Sequence, residues 1–275
     1  MKRTFIVSLI LLFSIAFSCS SDDVSAENSS CKLMNFTAHH LDKAELGSFH
    51  IMIENPTVYL SYEDNKVVKT EGGLRNTFIG PTFLESRYDS IVHETNKIIN
   101  IKRDSEDQDL VFIDTLFFTT DNNNKVLSKS YRFSNGSFLY DYHETFNYEN
   151  GKVVSSTVMP YGTHGETNKT YFYEDDNLVR IESESNYLDL YIRRAVEYFE
   201  NYDTNENPFY EQNLFFIRGT FYRSFSKNNY TRRRKIEESF DINTNEWVET
   251  SSSTQEFVFE YNENDLPDIG EYNCN

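Results

Sequence analysis

The chain has 275 residues, with 44 acidic against 26 basic side chains, 23 phenylalanines and 19 tyrosines. Its negative mean hydropathy excludes a multi-span membrane protein, and its aromatic residues supply enough apolar surface to exclude a disordered chain. The formal net charge of −18 repels the phosphates of DNA and RNA, so the composition predicts no nucleic-acid partner. A folded, acidic protein remains.

Residues 1–18 have the features of a secretory signal peptide. Lys2 and Arg3 give it a positive start, and residues 4–17 form a largely apolar run. This run is too short for a transmembrane helix, which needs about 20 apolar residues. Residues 16–19 (Ala-Phe-Ser-Cys) resemble the lipobox of bacterial lipoproteins, which implies that Cys19 is acylated and becomes the mature N-terminus. The alternative is an ordinary cleaved signal peptide in which Cys19 has no such role.

Residues 19–30 are small and polar and are predicted to form a tether. Asp22 and Asp23 resemble the export signal that sends lipoproteins of the Bacteroidota to the outer leaflet of the outer membrane. This resemblance implies an outer-membrane protein that is lipid-anchored and faces the cell exterior, with the lipid as its only membrane contact. In the alternative interpretation, Asp22 and Asp23 are simply part of a solvated acidic linker.

Residues 31–275 are predicted to form one all-β domain. Short runs alternate apolar and polar residues and stop at clusters of Asn, Asp, Glu or Gly, which is typical of strands joined by tight turns. Residues 60–68, 146–154, 171–179 and 259–266 share an aromatic strand end, an acidic or amide turn and an apolar start to the next strand. Asn, Asp and Gly close such hairpins because they tolerate a positive φ. Neighbouring strands are therefore expected to pair as an antiparallel meander.

Some predicted strands lack a clean alternation. Residues 116–118, 171–173 and 214–217 are apolar throughout, which predicts strands that are buried on both faces. Such burial is expected where a curved sheet closes into a barrel or folds into a sandwich. The sequence leaves both forms of closure open.

The repeated motif is similar to the YD repeats of RHS-type β-proteins, in which an aromatic residue and a Tyr precede an acidic turn. Residues 202–209 (Tyr-Asp-Thr-Asn-Glu-Asn-Pro-Phe), 226–229 and 261–267 are similar to segments of repeat-bearing hypothetical lipoproteins of the Bacteroidota. That group is uncharacterised. The resemblance therefore implies a β-domain built from hairpin repeats and brings no known activity.

The three cysteines lead to a specific pairing. If Cys19 carries the lipid, Cys31 and Cys274 are the two remaining cysteines. Two cysteines left over in a protein outside the cytoplasm usually form a disulfide. We therefore predict a Cys31–Cys274 disulfide that joins the two ends of the domain. A frayed C-terminus with an unpaired Cys274 is the competing picture.

Two turns have the first ligand spacings of a calcium loop, since residues 203–207 and 241–245 both read Asp-x-Asn-x-Asn. Both lack the Gly at the sixth position and the Glu at the twelfth, so hairpin turns are the favoured interpretation. The six histidines are scattered and show no zinc-binding spacing. The sequence predicts no metal and no cofactor. It also assigns no catalytic residue, so an enzyme is disfavoured without being excluded.

Residues 232–235 (Arg-Arg-Arg-Lys) belong to the one basic run of the chain. On a strand, Arg232 and Arg234 share one face while Arg233 and Lys235 share the other, so the four cannot form one patch. They are expected to pair with neighbouring acids. Arg232 and Arg234 remain candidate contacts for a sulfated or phosphorylated glycan. Trp247, the one tryptophan, is a candidate for stacking on a sugar ring, with packing in the sheet as the alternative.

These features predict a lipid-anchored cell-envelope protein that acts as a binding or structural module, with a glycan or another envelope protein as partner. The alternative is a surface carbohydrate-binding or glycan-processing protein. A concave pocket lined by convergent carboxylates would favour the enzyme.

Overall fold

The computed structural model describes residues 31–42, 56–77, 80–104, 113–134, 139–160, 165–187 and 191–274. The predicted signal peptide and tether, with Cys19, Asp22 and Asp23, lie outside these residues. In the described part, fourteen strands form one sheet in the order β15 to β2, and each strand pairs antiparallel with its neighbour in sequence. The predicted all-β fold and its antiparallel meander are thus confirmed. No helix of the described residues is long and apolar enough to cross a bilayer.

The strands are short at the two ends of the domain and mostly long between them. They are β1 (Lys32–Leu33), β2 (Asn35–Thr37), β3 (Thr57–Glu63), β4 (Lys66–Thr77), β5 (Gly80–Glu94), β6 (Lys97–Asp104), β7 (Ile113–Thr120), β8 (Val126–Ser134), β9 (Leu139–Glu149), β10 (Lys152–Pro160), β11 (Glu166–Glu174), β12 (Asn177–Tyr187), β13 (Tyr191–Glu206), β14 (Asn228–Asp241), β15 (Glu246–Glu256) and β16 (Tyr272–Asn273). Within the described ranges, the helical elements are α1 (Pro208–Glu211) and 3-10 turns at Ala38–His40 and Arg223–Phe225.

Three hairpins turn as the sequence predicts. Each turns through two residues of positive φ, which are Asp64 and Asn65, Asn150 and Gly151, and Asp175 and Asp176. Each pair follows a Tyr-Glu dipeptide that ends the preceding strand. The prediction was less accurate for residues 259–266, where only an isolated bridge joins Tyr261 to Pro267.

A non-strand segment, residues 207–227, forms the centre of the core, and we call it the plug segment. Its rings pack against residues of five strands, which the sheet brings together by curving around it. The ring pairs are Phe209–Phe36 on β2, Phe221–Phe118 on β7, Phe221–Phe146 on β9, Phe225–Tyr171 on β11 and Tyr222–Phe199 on β13. The hydrophobic core therefore lies between the plug segment and the inner face of the sheet.

The plug segment corrects one prediction. Residues 214–217 are buried as expected, but they form turns and not a strand. Asn207 explains the local fold, because its side-chain oxygen accepts a hydrogen bond from Phe209 N while its side-chain nitrogen donates to the carbonyls of Arg223 and Ser226. One side chain thus begins α1 and draws the two ends of the segment together.

The C-terminal residues 257–274, here called the strap, connect the two ends of the sheet. Phe257 N donates to Thr231 O on β14, and Thr37 N on β2 donates to Ile269 O. The strap passes so close to the backbone of β2 that position 270 must be a glycine, because a Cβ there would lie 1.8 Å from Asn35 O. In the described residues β2 and β15 do not pair, so the strap and not a strand ladder spans the gap.

A disulfide fastens the strap to the start of the domain. Cys31 and Cys274 are bonded, and β1 pairs with β16 immediately beside them. The predicted disulfide is confirmed. It holds residue 274 in place, so the C-terminus is not frayed at that position.

Candidate functional site

A cleft of about 370 Å³ opens at the end of the sheet where the long hairpins turn. One wall comes from the turns of the β7–β8, β9–β10 and β11–β12 hairpins. The other wall comes from the plug segment, through Tyr210, Glu211, Asn213, Phe215, Ser224 and Phe225. Ligand pockets of proteins are typically concave spaces of about 300–1,000 Å³ with a few convergent polar groups, which makes this cleft the candidate site.

Three tyrosine rings contribute to the apolar surface of the cleft. Tyr148 and Tyr173 are half-buried at the strand ends, and Tyr210 on α1 is 42% exposed. Tyr148 is fixed in position because its hydroxyl donates to Val126 O at 2.9 Å. Burial, followed by the charge of Asp121, raises the pKa of Tyr148 to about 12, so its hydroxyl stays protonated at neutral pH.

A lysine ammonium group lies over the ring of Tyr148, and another lies over the ring of Tyr173. The Lys125 ammonium lies 5.7 Å from the Tyr148 ring centroid, and the Lys152 ammonium lies 5.5 Å from that of Tyr173. Each lysine belongs to the neighbouring hairpin, so the contact repeats from one hairpin to the next. Cation–π contacts at such distances favour one orientation of each ring.

Two carboxylates in the cleft have opposite environments. Asp176 forms an ion pair of 2.7 Å with Lys152, and the hydrogen bond and charge of that lysine lower the pKa of Asp176. Burial, with a smaller contribution from Glu206, raises the pKa of Glu211. Amide side chains of Asn123, Asn124 and Asn213 also line the cleft. The cleft therefore combines tyrosine rings with hydrogen-bond donors, acceptors and carboxylates.

No sequence pattern points to this cleft. The motif at residues 171–179 predicts a hairpin turn at Asp176, which is correct, but it indicates no ligand role. Tyr210 and Glu211 directly follow the segment 202–209, and a lysine follows several turns. These regularities were the available signal. The juxtaposition itself depends on where the plug segment lies, and no local pattern encodes that position.

The structure places the predicted glycan contacts elsewhere. Arg232 pairs with Glu200 and Glu256, and Arg234 pairs with Glu200. On the opposite face Arg233 pairs with Glu197, and Lys235 pairs with Glu237. The split between two faces and the pairing with acids are as predicted.

Trp247 belongs to the far end of β14 and β15. Its ring contacts Phe240 on the opposing strand, and the Arg194 guanidinium lies 4.7 Å from the ring centroid. Residues 232–234 are paired with residues 254–256 of β15, so several residues along the strand separate them from Trp247. The structure thus does not bring the three candidate contacts into one site, and none of them lines the cleft.

The two Asp-x-Asn-x-Asn segments are turn and loop structures. The Asp241 carboxylate accepts from Asn243 N at 2.8 Å, as in an Asx turn. The Asp203 carboxylate accepts from Asn205 N, from Asn229 N and from the Tyr261 hydroxyl. Among the residues that the structure describes, no group of His, Cys, Asp and Glu side chains is arranged to hold a metal ion.

A second polar cluster lies on the inner face of β9 to β11. Lys169 forms an ion pair of 2.9 Å with Glu144, and the Ser156 hydroxyl donates to the same carboxylate at 2.8 Å. The pKa of Glu144 is lowered, because Lys169, Lys129 and Ser156 together outweigh the opposing effect of burial. Glu144 and Ser156 are buried. The cluster therefore satisfies buried charges and links strands to the plug segment, where Lys169 also donates to the Tyr222 hydroxyl.

No family model matches the chain, and no curated protein matches it. Among solved structures, the chain is similar in fold to a porin-like protein from Bacteroides vulgatus ATCC 8482. The TM-score is 0.50 at 10% sequence identity, and the match covers 86% of this chain and 90% of that one. At this identity the likeness concerns the fold alone.

Proposed function

We propose that this protein is an outer-membrane lipoprotein, anchored through Cys19 and facing the cell exterior, which binds a saccharide in the cleft between the hairpin turns and α1. The observation that carries the binding function is the cleft itself, where Tyr148, Tyr173 and Tyr210 share one concave space with amides and charged groups. The fold of a porin-like protein from Bacteroides supports an envelope address.

The lipid is proposed as the membrane contact because the outer face of the sheet carries exposed charged side chains. Glu184 is exposed on β12, and the side chains of Arg232 and Glu256 on β14 and β15 are 40% and 63% exposed. Charged side chains on a lipid-facing strand cost about 2–4 kcal/mol each near the centre of a bilayer. Such a face favours an aqueous surrounding, with the anchor at the N-terminus.

A saccharide fits the chemistry of the cleft. One face of a sugar ring carries mostly C–H groups, which pack on an aromatic ring such as Tyr210. Its hydroxyls both donate and accept, so they match the amides of Asn123 and Asn213 and the carboxylate of Glu211. A fully apolar ligand would leave these polar groups unpaired.

The proposed lipidation and surface location are tested separately from ligand binding. A Cys19→Ala protein is expected in the soluble fraction without acyl label, whereas the parent protein stays with the membrane. An Asp22→Ala/Asp23→Ala protein is expected to keep its lipid but to resist protease added outside the cell. A Cys19→Ala protein that remains acylated, or equal protease access in both forms, contradicts the proposed address.

The binding function is tested with the Cys19→Ala protein and a panel of oligosaccharides of different composition and charge. We expect saturable binding of at least one class, measured by titration calorimetry, with competition by its own monosaccharide units. Uniformly absent binding across the panel contradicts the proposal.

Glycan processing is the second candidate, favoured by the two carboxylates of the cleft. Glycoside hydrolysis uses one carboxyl group that holds its proton and one that is ionised. Glu211, with its raised pKa, suits the first role, and Asp176, with its lowered pKa, suits the second. A bound oligosaccharide that the parent protein cleaves and a Glu211→Gln variant does not would establish the enzyme. Binding without release of reducing ends establishes the binding module.

A further inference from the structure

The start of the domain is held directly beside the cleft. The Gln212 side chain donates to Cys31 O at 3.1 Å and accepts from Leu33 N at 3.0 Å. Gln212 lies between Glu211 and Asn213, and both of these residues line the cleft. The disulfide to Cys274 fixes the same point covalently. Any chain that continues upstream of Cys31 therefore leaves the domain at the rim of the cleft.

The segment between the proposed lipid and this point is short. Cys31 lies twelve positions after Cys19, which corresponds to a fully extended reach of about 40 Å. For a flexible polar chain of this length, the root-mean-square span is only about 20 Å. The rim of the cleft is thus held close to the membrane surface.

The other end of the sheet lies about one strand length from this point. The plug segment connects β13 to β14 at the cleft end, so β14 starts there at Asn228 and runs to Asp241. A strand of that length spans about 45 Å. Ile242, at the tip of the β14–β15 hairpin and 80% exposed, marks this distal end.

We propose that the cleft faces the membrane that holds the anchor and that its ligand is the saccharide part of a glycolipid in that membrane. The inference rests on the proposed lipidation and on the proposed saccharide site. A long polysaccharide from the medium would have to enter the space between the cleft and the membrane, which is only about one tether length wide. A membrane-borne saccharide is already in that gap, at a high effective concentration.

Orientation is tested without any ligand. The lipidated protein carries a fluorophore on an introduced cysteine, either Glu149→Cys at the exposed end of β9 near the cleft or Ile242→Cys at the distal tip. It is reconstituted in phosphatidylethanolamine vesicles that contain a headgroup quencher. We expect at least threefold stronger quenching at residue 149 than at residue 242. Equal quenching, or stronger quenching at residue 242, overturns the proposed orientation.

A tether variant is the matched control. A flexible insert of 40 Gly and Ser residues after Ser30 leaves Cys19 and the disulfide unchanged and roughly doubles the span of the tether. The difference in quenching between the two labels should then shrink. A difference that persists at full size means that something other than the short tether orients the domain, and this also overturns the argument.

The source of the saccharide is tested by competition. Vesicles carry a lipo-oligosaccharide, the competitor is the free oligosaccharide released from it, and the label at residue 149 reports occupancy of the cleft. The lipidated protein should need at least tenfold more competitor for half-displacement than the Cys19→Ala protein on the same vesicles. Equal competitor concentrations refute a membrane-borne ligand. No binding of the oligosaccharide to the Cys19→Ala protein refutes the saccharide site itself, while the quenching result still decides the orientation.

Discussion

Truncation of Phe221 to alanine is expected to be among the most destabilising single changes in this protein. The Phe221 side chain is fully buried in the plug segment. Its ring lies 4.8 Å from that of Phe225 and 5.5 Å from that of Phe146, and the Lys129 ammonium lies 4.2 Å from its centroid. Removal of a buried phenylalanine costs about 3–5 kcal/mol through lost transfer energy and the cavity left behind. The lost cation–π contact places the expected value in the upper half of that range.

The assay is urea unfolding of the Cys19→Ala protein at neutral pH, with and without Phe221→Ala. A Val258→Ala variant serves as control, because Val258 is apolar but 80% exposed and should change the free energy of unfolding by less than about 0.5 kcal/mol. Since whole proteins are stable by only about 5–15 kcal/mol, Phe221→Ala should shift the unfolding midpoint strongly. A loss below about 1 kcal/mol would contradict the account in which the sheet packs around the plug segment.

Two further predictions concern the strap and the region beneath it. A Cys274→Ser variant should lose up to about 5 kcal/mol, because the disulfide closes a loop with a sequence separation of 243 residues; unchanged unfolding by urea would show that the strap is held without it. Burial, followed by the charge of Arg223, lowers the pKa of His40 to about 3, whereas an unfolded histidine has a pKa of about 6.5. Between these two values, the folded state therefore binds fewer protons than the unfolded state. Stability should therefore be complete above about pH 6.5 and fall by about 1.4 kcal/mol per unit towards pH 4.5, and a His40→Asn variant should show a smaller slope by urea titration. Equal slopes would refute this assignment.

The sequence predicts those features that depend on neighbouring residues. The hairpins at residues 64–65, 150–151 and 175–176 form as predicted because Asn, Asp and Gly determine a tight turn locally. The Cys31–Cys274 disulfide is the pairing that the cysteine count predicts.

Features that depend on tertiary position were not predictable in the same way. A short apolar run such as residues 214–217 is compatible with a strand or with a buried turn. The turn is enclosed by contacts between residues distant in sequence, such as the hydrogen bonds from Asn207 to the carbonyls of Arg223 and Ser226. The cleft combines three hairpin turns with α1, so its residues converge only after the sheet has curved around the plug segment.

The most direct test of the central claim, that the cleft is the ligand site, is a calorimetric titration of a panel-selected saccharide into the Cys19→Ala protein and its Tyr210→Ala variant. Tyr59→Ala is the matched control, because Tyr59 is 53% exposed and Tyr210 is 42% exposed, and Tyr59 lies outside the cleft. We predict that Tyr210→Ala weakens binding about tenfold, which corresponds to about 1.4 kcal/mol, and that Tyr59→Ala leaves the affinity unchanged. Equal affinities for the parent and the Tyr210→Ala protein, or an equal loss in both variants, would contradict the account.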